Sequence, residues 1–526
     1  MMTMLGATLG ELLKAVPEHS VKGPLSVRIY GYTYDSRTVP GPGILFAAFE
    51  GSKHDGHDYI DDALANGAAA LVVSRPVEGR YDVPVVTVPD SRRALAYLAR
   101  ELYDDPSSKL FTVGLTGTKG KTTTTRLLLH LLDLAGVPSG LVGTMGYRVA
   151  APLSGLAADP HRDASLNEAE LIPAPNTTPE GADLQRLFYS MVTNGLTHVV
   201  MEVSSHALAL GRAELLKFDL AGFTNLGHDH MDFHPDVQHY AASKALLFSS
   251  IKPGGTAVVN SDDPFSVAMA KAAKAAGARV VTVGLGPSTP AELAGEPSLR
   301  ASEIELSATG SSFVVTSSST GERVRVETGL VGIFNVSNCL MALALASEAG
   351  LDLGWAGQAV RSFSGVPGRF QPVNAGQPFS VIVDYAHNPD SLRNVLATAR
   401  GLSAGRLISV FGCGGDRDRT KRPVMGAISR EIADYTVVTS DNPRTEDPAA
   451  IVAEIAAGMG DPDPSWTVIL DRREAIRHAV GVARPGDVVV IAGKGHETYQ
   501  ILHDRAIHFD DVEEARAAIE ELTKGV

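Results

Sequence analysis

The sequence has very few cysteines for its length. Its 526 residues include two, Cys339 and Cys413, which do not make a disulfide framework and do not sit in a metal-binding spacing. No uninterrupted apolar run approaches the length that crosses a bilayer. The N-terminus lacks the basic segment and hydrophobic core of an export signal. We therefore expect a cytoplasmic protein that does not associate with membranes.

An excess of positive charge is also missing. Lys and Arg total 46 against 60 Asp and Glu, which gives a formal net charge of −14. This balance argues against a protein that coats nucleic acid or a membrane surface. A chain of 526 residues exceeds one ordinary core, so three domains are a sensible expectation. An acidic protein that handles anionic ligands must concentrate its cations in particular loops.

One such loop lies between a strand pattern and a helix pattern in LFTVGLTGTKGKTTTTRLL (110–128). In this context backbone N–H groups and a helix N-terminus bind phosphate, and Lys121 reaches the β- and γ-phosphates. The hydroxyl of Thr122 is then placed to bind Mg²⁺. A strict phosphate-loop pattern has glycine where Leu115 stands, and a tight strand-to-helix turn is the alternative. We predict that the chain binds a nucleoside triphosphate.

Further candidate metal ligands lie in or directly after two other apolar runs. Glu202 lies in the run 198–203, where a carboxylate is costly without compensation. We interpret it as a metal-binding acid beside the phosphate loop; a strand-end acid pointing to solvent is the alternative. The run 220–224 leads into NLGHDHMDFH, which is rich in possible ligands. Lys244 follows on a helix pattern, where an ordinary surface lysine is the alternative.

The last third of the chain repeats one arrangement, an apolar run followed by a polar loop. The four loops are DYAHNPDS after 381–383, GCGGDRDRTKRP after 407–411, SDNPRTEDP after 435–439 and GKGHETYQ after 488–492. Helix patterns separate the runs, which predicts a doubly wound parallel sheet with ligands outside the carboxyl ends of its strands.

We predict an α/β protein with three domains. These are a small mixed α/β N-terminal domain (1–108), a central P-loop ATPase-like parallel-sheet domain (109–367) and a C-terminal Rossmann-like doubly wound domain (368–526). Within them, 91–103 predicts an amphipathic helix, 105–108 a linker, and 255–330 short strands separated by turns.

With these residues in view, the chain resembles the Mur ligase family of ATP-dependent amino-acid-adding enzymes of peptidoglycan synthesis. The match runs from YDSR (34–37) to GKGHE (493–497) and includes TGTKGKTT, NTTP, MEVSSH, DHMD, FN, GRF, DYAH and DNPR. The resemblance implies that ATP phosphorylates the D-glutamate γ-carboxylate of UDP-N-acetylmuramoyl-L-alanyl-D-glutamate. The amine of a diamino acid then attacks the acyl phosphate.

The resemblance also implies the nucleotide and metal sites. ATP would contact Thr116, Gly117, Thr118, Lys119, Gly120, Lys121, Thr122, Thr123, Asn335, Arg369, Asp384 and His387. For the last four of these residues, caps and turn stabilisers are the alternative. Mg²⁺ would be held by Thr122, Glu202, His230 and Lys244. In relatives the lysine at the place of Lys244 is carbamylated by CO₂ to N6-carboxylysine, which requires a neutral amine.

Two substrate sites are implied as well. The UDP-linked substrate would contact Ser36, Ser52, Lys53, His54, Asn176, Thr177, Thr178, Ser204 and Arg212. Leu210 replaces a glutamine common in relatives, and Tyr34 replaces an aliphatic residue. Meso-2,6-diaminopimelate would contact Arg417, Asp441, Asn442, Pro443, Arg444, Gly493 and Glu497.

We expect Arg444 to discriminate between diamino acids. A planar guanidinium binds a carboxylate through two hydrogen bonds, and diaminopimelate differs from lysine by a distal carboxylate. Glu497 suits the distal ammonium. The alternative is that Arg444 only pairs with Glu446 on its own loop.

Other functions stay open on the sequence. They are a lysine-adding ligase of the same family, a ligase like folylpolyglutamate synthase, and a nucleotide-gated binding protein without turnover. We expect a monomer whose partners are small-molecule substrates.

Overall fold

The structure is a computed structural model. It describes residues 6–51, 54–79, 81–150, 171–227, 229–231, 233–287, 289–293, 297–307 and 309–524. The chain divides into two compact units. The first comprises Met1–Arg300, Thr316–Glu322 and Asn338–Ala359, and the second Ala301–Val315, Arg323–Ser337 and Val360–Val526. Among the described residues, no helix is long and apolar enough to cross a membrane.

The N-terminal part of the first unit is a small mixed α/β layer. Its elements are β1 (Ala7–Thr8), α1 (Leu9–Leu12), β2 (Ser20–Lys22), β3 (Arg28–Ile29), β4 (Gly31–Thr33), β5 (Ile44–Ala47), α2 (Ile60–Ala65), β6 (Ala70–Val73), β7 (Val85–Thr87) and α3 (Ser91–Leu102). Five strands form a sheet in the order β2-β7-β6-β5-β4, in which only β2 is antiparallel to its neighbour. The apolar face of α3 packs on this layer through Leu95, Leu98 and Ala99, as the amphipathic pattern predicts.

The predicted linker at 105–108 is wrong in one respect. Pro106–Lys109 forms a short 3-10 helix, and Pro106 and Ser107 are buried. The Asp105 side chain accepts a hydrogen bond from Ser107 Oγ at 2.8 Å, which stabilises this turn. The segment is therefore ordered structure between two layers of the same unit.

The central part of the first unit carries a second sheet. Its elements are β8 (Phe111–Thr116), α4 (Lys121–Leu134), β9 (Ser139–Gly143), β10 (Gly146–Arg148), α5 (Gly181–Thr193), β11 (His198–Glu202), α6 (Ser205–Ala209), β12 (Phe218–Phe223), α7 (Val237–Ser249), β13 (Ile251–Asn260), α8 (Ser266–Ala275) and β14 (Arg279–Gly284). The strand order is β10-β9-β11-β8-β12-β13-β14, and all pairs except β10 with β9 are parallel.

The sequence pattern of 255–330 predicts strands alone, and α8 corrects that prediction. SVAMAKAAKA is rich in alanine, the strongest helix former. One side of this helix is buried, and it carries Met269, Ala270 and Ala273. The remaining strands of the segment are β15 (Leu299–Ser307), β16 (Gly310–Ser317) and β17 (Arg323–Thr328), followed by α9 (Ile333–Glu348) and α10 (Leu353–Ala359).

The C-terminal part of the second unit is the doubly wound sheet that the sequence predicts. Its elements are β18 (Gln371–Pro372), β19 (Ser380–Asp384), α11 (Pro389–Leu402), β20 (Leu407–Phe411), α12 (Lys421–Ile432), β21 (Tyr435–Val438), α13 (Pro448–Ala456), β22 (Trp466–Val468), α14 (Arg472–Val482), β23 (Val488–Ala492), β24 (Tyr499–Ile501), β25 (Ala506–His508) and α15 (Asp511–Lys524). The strand order is β18-β19-β23-β20-β21-β22, with only β18 antiparallel.

Helices cover both faces of this sheet. Ile382 packs with α11, α12 and α13 on one face. Val381 and Val383 pack with α14 and α15 on the other face. This alternation follows from the two-residue period of a strand and explains why the strands are continuously apolar. The polar loops that follow β19, β20, β21 and β23 therefore leave the sheet at one edge.

Candidate active site

The loop between β8 and α4 has a shape that requires glycine at two positions. Gly117 has a φ of 150° and Gly120 a φ of 85°. A Cβ at Gly117 would lie 1.9 Å from Thr224 Oγ1, and one at Gly120 would lie 2.3 Å from Asn338 Oδ1. The loop is tied to the segment after β12 because Thr118 N donates to Asn225 O at 2.8 Å. Its conformation is therefore fixed by the surrounding chain.

Helix α4 begins at Lys121, directly after this loop. Its N-cap residue is Gly120, which has no side chain to accept a hydrogen bond from the first amides. Lys121 Nζ donates to Gly117 O at 2.9 Å and to Thr118 O at 3.2 Å, so the ammonium lies over the loop. The positive end of a helix and an ammonium group together form an anion site of the phosphate-binding kind.

Glu202 lies at the carboxyl end of β11, beside this loop. Its side chain is 1% exposed, so the alternative of a solvent-pointing strand end is wrong. Thr122 Oγ1 donates to Glu202 Oε2 at 3.0 Å. Thr144 donates to the same carboxylate through its backbone N–H at 3.0 Å and its hydroxyl at 3.1 Å. The sequence analysis missed Thr144, although it follows β9, a parallel neighbour of β11.

These contacts leave the charge of Glu202 without a cation in the described part of the chain. All the donors that reach it are neutral, and a buried carboxylate without a positive partner is costly. A carboxylate and a hydroxyl are hard oxygen donors of the kind that Mg²⁺ prefers. Across the described residues, no three His, Cys, Asp or Glu side chains form a metal site on their own. A cation here would therefore need further oxygen ligands, such as phosphates.

Lys244 lies on α7 and is 1% exposed, so it is not a surface lysine. Its Nζ lies 4.3 Å from the centre of the Tyr240 ring. Burial lowers the pKa of Lys244 well below its ordinary value, and the positive charge of Lys121 acts in the same direction. The Tyr240 hydroxyl is in turn hydrogen-bonded to Thr118 Oγ1 at 3.0 Å. Tyr240 therefore connects the lysine to the phosphate loop.

His230 lies on the loop after β12 in the left-handed region, with a φ of 57°. Its ring is 6.3 Å from the Tyr240 ring and 4.6 Å from the His206 ring, measured between centroids. Its Nε2 is 3.9 Å from Asp229 Oδ2. The structure thus brings His230 and Lys244 to the same tyrosine, and His206 lies against His230. The neighbouring His234 is buried, which lowers its pKa to about 4.

A second group of polar residues adjoins Glu202. Thr177 Oγ1 and Thr144 Oγ1 are 3.0 Å apart, and Thr178 Oγ1 donates to the Glu202 carbonyl at 2.9 Å. Ser204 N donates to Thr178 Oγ1 at 3.0 Å. These residues, with the Asn176 carbonyl that accepts from Tyr147 at 2.6 Å, form one hydrogen-bonded edge. The structure therefore places the predicted substrate residues beside the predicted metal residues.

Arg212 belongs to the same edge. It donates to the Thr178 carbonyl at 3.2 Å and lies 3.0 Å from Glu180, measured from Nε to Oε1. Glu180 also pairs with Arg92 of α3 at 2.5 Å. Of the predicted residues on the N-terminal layer, Ser36 is buried and His54 is exposed. Ser52 and Lys53 lie outside the described residues.

In the second unit, four predicted nucleotide residues make local contacts. The Asp384 carboxylate accepts from Phe370 N at 2.7 Å and Ala386 N at 2.8 Å. Arg369 lies over the Tyr385 ring at 4.8 Å, and a hydrogen bond of 2.8 Å joins His387 Nδ1 to Tyr385 O. Asn335 is buried and donates to Val331 O at 2.9 Å. Arg369, Asp384 and His387 are thus brought together around Tyr385.

The loop after β21 carries Arg444, which is half-buried and has a φ of 53°. Its Nη1 donates to Gly415 O at 2.9 Å and to Asn442 O at 3.4 Å. In the described part of the chain it has no carboxylate partner. The alternative pairing with Glu446 is wrong because Arg422 occupies that carboxylate, with distances of 2.8 and 2.9 Å. Sequence reasoning missed Arg422, which has no motif signal.

Two more predicted residues face each other across the loops after β21 and β23. Asn442 is buried and its Nδ2 donates to Glu497 Oε2 at 2.7 Å. Asp441 lies close to Gly493, where a Cβ would be 2.5 Å from Asp441 Oδ2. Arg417 is exposed on the loop after β20. Polar groups of both charges therefore converge at this edge of the sheet.

Comparison with protein families identifies the class. The chain matches three family models: Mur ligase family, catalytic domain, at residues 28–103; Mur ligase middle domain at 115–346; and Mur ligase, glutamate ligase domain, at 368–495. The chain belongs to the Mur ligase family, and the fold class predicted from the sequence is confirmed.

Individual relatives are similar over almost the whole chain. The UDP-N-acetylmuramoyl-L-alanyl-D-glutamate--2,6-diaminopimelate ligase of Geobacillus thermodenitrificans is 43% identical over 520 residues, 98% of this chain and 99% of that protein. The ligase of the same name from Syntrophomonas wolfei is 41% identical over 520 residues, with the same coverage. A solved structure of a ligase of this name is 33% identical, with a TM-score of 0.67, and covers 99% of this chain and 100% of its own.

Proposed function

We propose that this chain is an ATP-dependent ligase that adds meso-2,6-diaminopimelate to the D-glutamate γ-carboxylate of UDP-N-acetylmuramoyl-L-alanyl-D-glutamate in peptidoglycan precursor synthesis. The names of relatives at 41% and 43% identity support this reaction. The observation that carries the choice of amino acid is Arg444, a half-buried guanidinium that makes hydrogen bonds to carbonyls and, among the described residues, to no carboxylate.

The reaction joins a carboxylate to an amine, and a carboxylate does not react with an amine until it carries a leaving group, so the enzyme must first activate it. ATP transfers its γ-phosphoryl group to the glutamate carboxylate, and the amine displaces phosphate from the acyl phosphate. The loop 116–123 suits the triphosphate, because the Lys121 ammonium and the N-terminal end of α4 offer positive charge. Asn335, Arg369, Asp384 and His387 are proposed as nucleotide contacts on the family resemblance alone.

Thr122 and Glu202 fit a magnesium ion. The fit rests on a buried carboxylate that receives only neutral donors, beside a hydroxyl at 3.0 Å. When bound, Mg²⁺ supplies positive charge to the phosphoryl group that is transferred. We propose His230 and Lys244 as its further ligands.

Lys244 suits carbamylation. Burial holds the pKa of its amine well below the ordinary value, so a larger fraction is neutral and able to attack CO₂. The attack forms an N–C bond and releases one proton, which leaves an anionic carbamate. The carbamate would place a negative charge where the Lys244 ammonium would place a positive one, close to Lys121 and Asp229. A metal cation would then be attracted to this position instead of repelled from it.

The substrate residues divide between the two units. Asn176, Thr177, Thr178, Ser204 and Arg212, with Ser36, Ser52, Lys53 and His54, are proposed for the UDP-linked dipeptide. Arg444 is proposed for the distal carboxylate of the diamino acid, Glu497 for its distal ammonium, and Arg417, Asp441, Asn442, Pro443 and Gly493 for the rest. We also propose domain boundaries at 108 and 367, a cytoplasmic location and a monomer.

An amide-forming assay tests the proposed function. The protein is incubated with the UDP-linked dipeptide, ATP, Mg²⁺ and one amino acid from a panel that includes meso-diaminopimelate, L-lysine and glutamate. We expect product and ADP with diaminopimelate and much less with lysine, because lysine leaves the Arg444 guanidinium unmatched. Preference for lysine would support the lysine-adding alternative. Nucleotide binding without phosphate release that depends on an amino acid would support a nucleotide-gated binding protein without turnover.

A further inference from the structure

Lys494 is a fully buried cation beside the proposed diaminopimelate site. It follows β23 and is 0% exposed. Its Nζ donates to Asn442 Oδ1 and Glu497 Oε2, both at 3.3 Å, and to the Tyr499 carbonyl. An ammonium group has three N–H donors, and the three acceptors use all of them. A lysine held in this way is part of the polar arrangement of the site rather than of the apolar core.

The lysine determines which way the Asn442 amide points. Asn442 Oδ1 accepts from Lys494 Nζ and from Ile501 N, the latter at 2.8 Å. Rotation of the amide by half a turn would face its NH₂ group toward these two donors and lose both hydrogen bonds. The NH₂ group is therefore directed at Glu497 Oε2, to which it donates at 2.7 Å.

Glu497 is in turn held through one of its two oxygens. Oε2 accepts from Asn442 Nδ2 and Lys494 Nζ. Within the residues that the structure describes, Oε1 accepts no hydrogen bond. The carboxylate is thus fixed on one side, and its other oxygen is left to accept from a ligand.

We propose that Lys494 is a positioning residue for the distal amine of the diamino acid, and that it acts through Asn442 and Glu497. The inference rests on the proposed function. Lys494 holds Glu497 in one orientation and keeps Oε1 directed at the substrate ammonium, while Arg444 selects the carboxylate on the same carbon of the substrate. The lysine therefore contributes to specificity without contacting the substrate.

Steady-state kinetics of Lys494→Met test this role. Methionine has a similar length but no charge and no N–H donor. We expect the KM for meso-diaminopimelate to rise about 10- to 100-fold, since a hydrogen bond to a charged group is lost. The KM values for ATP and for the UDP-linked dipeptide should stay within about twofold, because the lost contacts are all on the amino-acid side.

The preference for diaminopimelate over a substrate analogue is a second measurement, and it would not change if Lys494 only stabilised the fold. The wild-type protein should prefer diaminopimelate over 2-aminopimelate, which has the distal carboxylate and lacks the distal amine. Lys494→Met should lose most of this preference. Lys494→Met should also raise the KM little further in a Glu497→Gln background, because the lysine acts through that carboxylate.

Arg472→Met is the matched control. Arg472 is another buried cation at these loops and donates to Ser440 O and Ala492 O, but it pairs with Asp511 and does not contact Asn442 or Glu497. We expect it to lower thermal stability without a selective change in the KM for diaminopimelate. Should Lys494→Met not fold, Lys494→Gln provides the same comparison with one polar group retained.

The outcomes separate this inference from the function on which it rests. If the wild-type protein forms no amide with diaminopimelate, both are overturned. If the wild-type protein is active and Lys494→Met raises all three KM values together, or leaves the preference over 2-aminopimelate intact, only the role of Lys494 is overturned.

Discussion

Arg422 binds both carboxylate oxygens of Glu446, with distances of 2.8 Å from Nη2 to Oε1 and 2.9 Å from Nη1 to Oε2. Glu446 also accepts from the backbone N–H of Asp416 at 2.6 Å, so the pair joins the loops after β20 and β21. Arg444 lies on the second of these loops, two residues before Glu446. The chain uses the buried Arg422 to build the loop, and Arg444 is thereby left for a ligand.

Arg444→Met should weaken the use of diaminopimelate. We expect kcat/KM for diaminopimelate to fall about 10²-fold or more, because two hydrogen bonds between charged groups are lost. The kcat/KM for lysine should change little, so the ratio of kcat/KM for diaminopimelate to that for lysine should decrease. Arg419→Met, which removes an exposed arginine paired with Glu454, is the control and should leave both values unchanged. Equal losses with both amino acids would contradict the assignment.

Glu446 should make the free energy of unfolding depend on pH in the acid range. Hydrogen bonds from Arg422, and then from the Asp416 N–H, lower the pKa of Glu446 from 4.5 to about 2. Since the folded pKa is below the unfolded one, the stabilising contribution is present above about pH 4.5 and is lost as the pH falls toward 2. Urea unfolding of wild type and Glu446→Gln should therefore differ most near neutral pH, and the difference should shrink in acid. If the difference in unfolding free energy between the two proteins grew as the pH fell, the predicted direction of the pH dependence would be wrong.

Glu202→Gln should abolish most ligase activity. Glutamine keeps the shape but removes the negative charge beside Thr122, so we expect kcat/KM to fall about 10²- to 10³-fold and the Mg²⁺ requirement to rise. Thr122→Val should act in the same direction. Thr125→Val is its control on the same helix, because the Thr125 hydroxyl donates to the Thr122 carbonyl and does not contact Glu202. Magnesium titrations of initial rate provide the measurement.

Lys244→Ala should remove activity that depends on CO₂. In the wild-type protein, ¹³C-labelled bicarbonate should give a carbamate carbon signal in NMR, and removal of CO₂ from the buffers should lower the rate. The signal should be missing from Lys244→Ala and present in Lys252→Ala, since Lys252 is partly exposed and pairs with Asp219. Full activity of Lys244→Ala without bicarbonate would exclude the carbamate.

Much of the fold could be predicted because its signals are local. The apolar run before the glycine loop and the periodic run after it become β8 and α4. The four apolar runs of the last third become parallel strands, and their loops follow at one edge. The burial of Glu202 was predictable because apolar residues surround it in the sequence. The helix α8 was missed because the turn residues around it favoured short strands.

The rest of the site depends on contacts between distant residues. Nothing near Arg444 in the sequence shows that Arg422, 24 positions from Glu446, occupies that glutamate. Thr144 carries no motif and reaches Glu202 only because β9 and β11 are parallel neighbours. The role of Lys494 likewise depends on Asn442, 52 positions away. Such pairings are set by the sheet order, which hydrophobic periodicity does not determine.

The backbone of Arg444 and its side chain have separate tasks. Its N–H donates to Ile501 O at 3.1 Å and its φ is 53°, so the turn is held by main-chain contacts and by the neighbouring ion pair. The guanidinium can be exchanged while this support stays in place. A change of side chain at position 444 should therefore alter the contact with the ligand while the fold of the loop is kept.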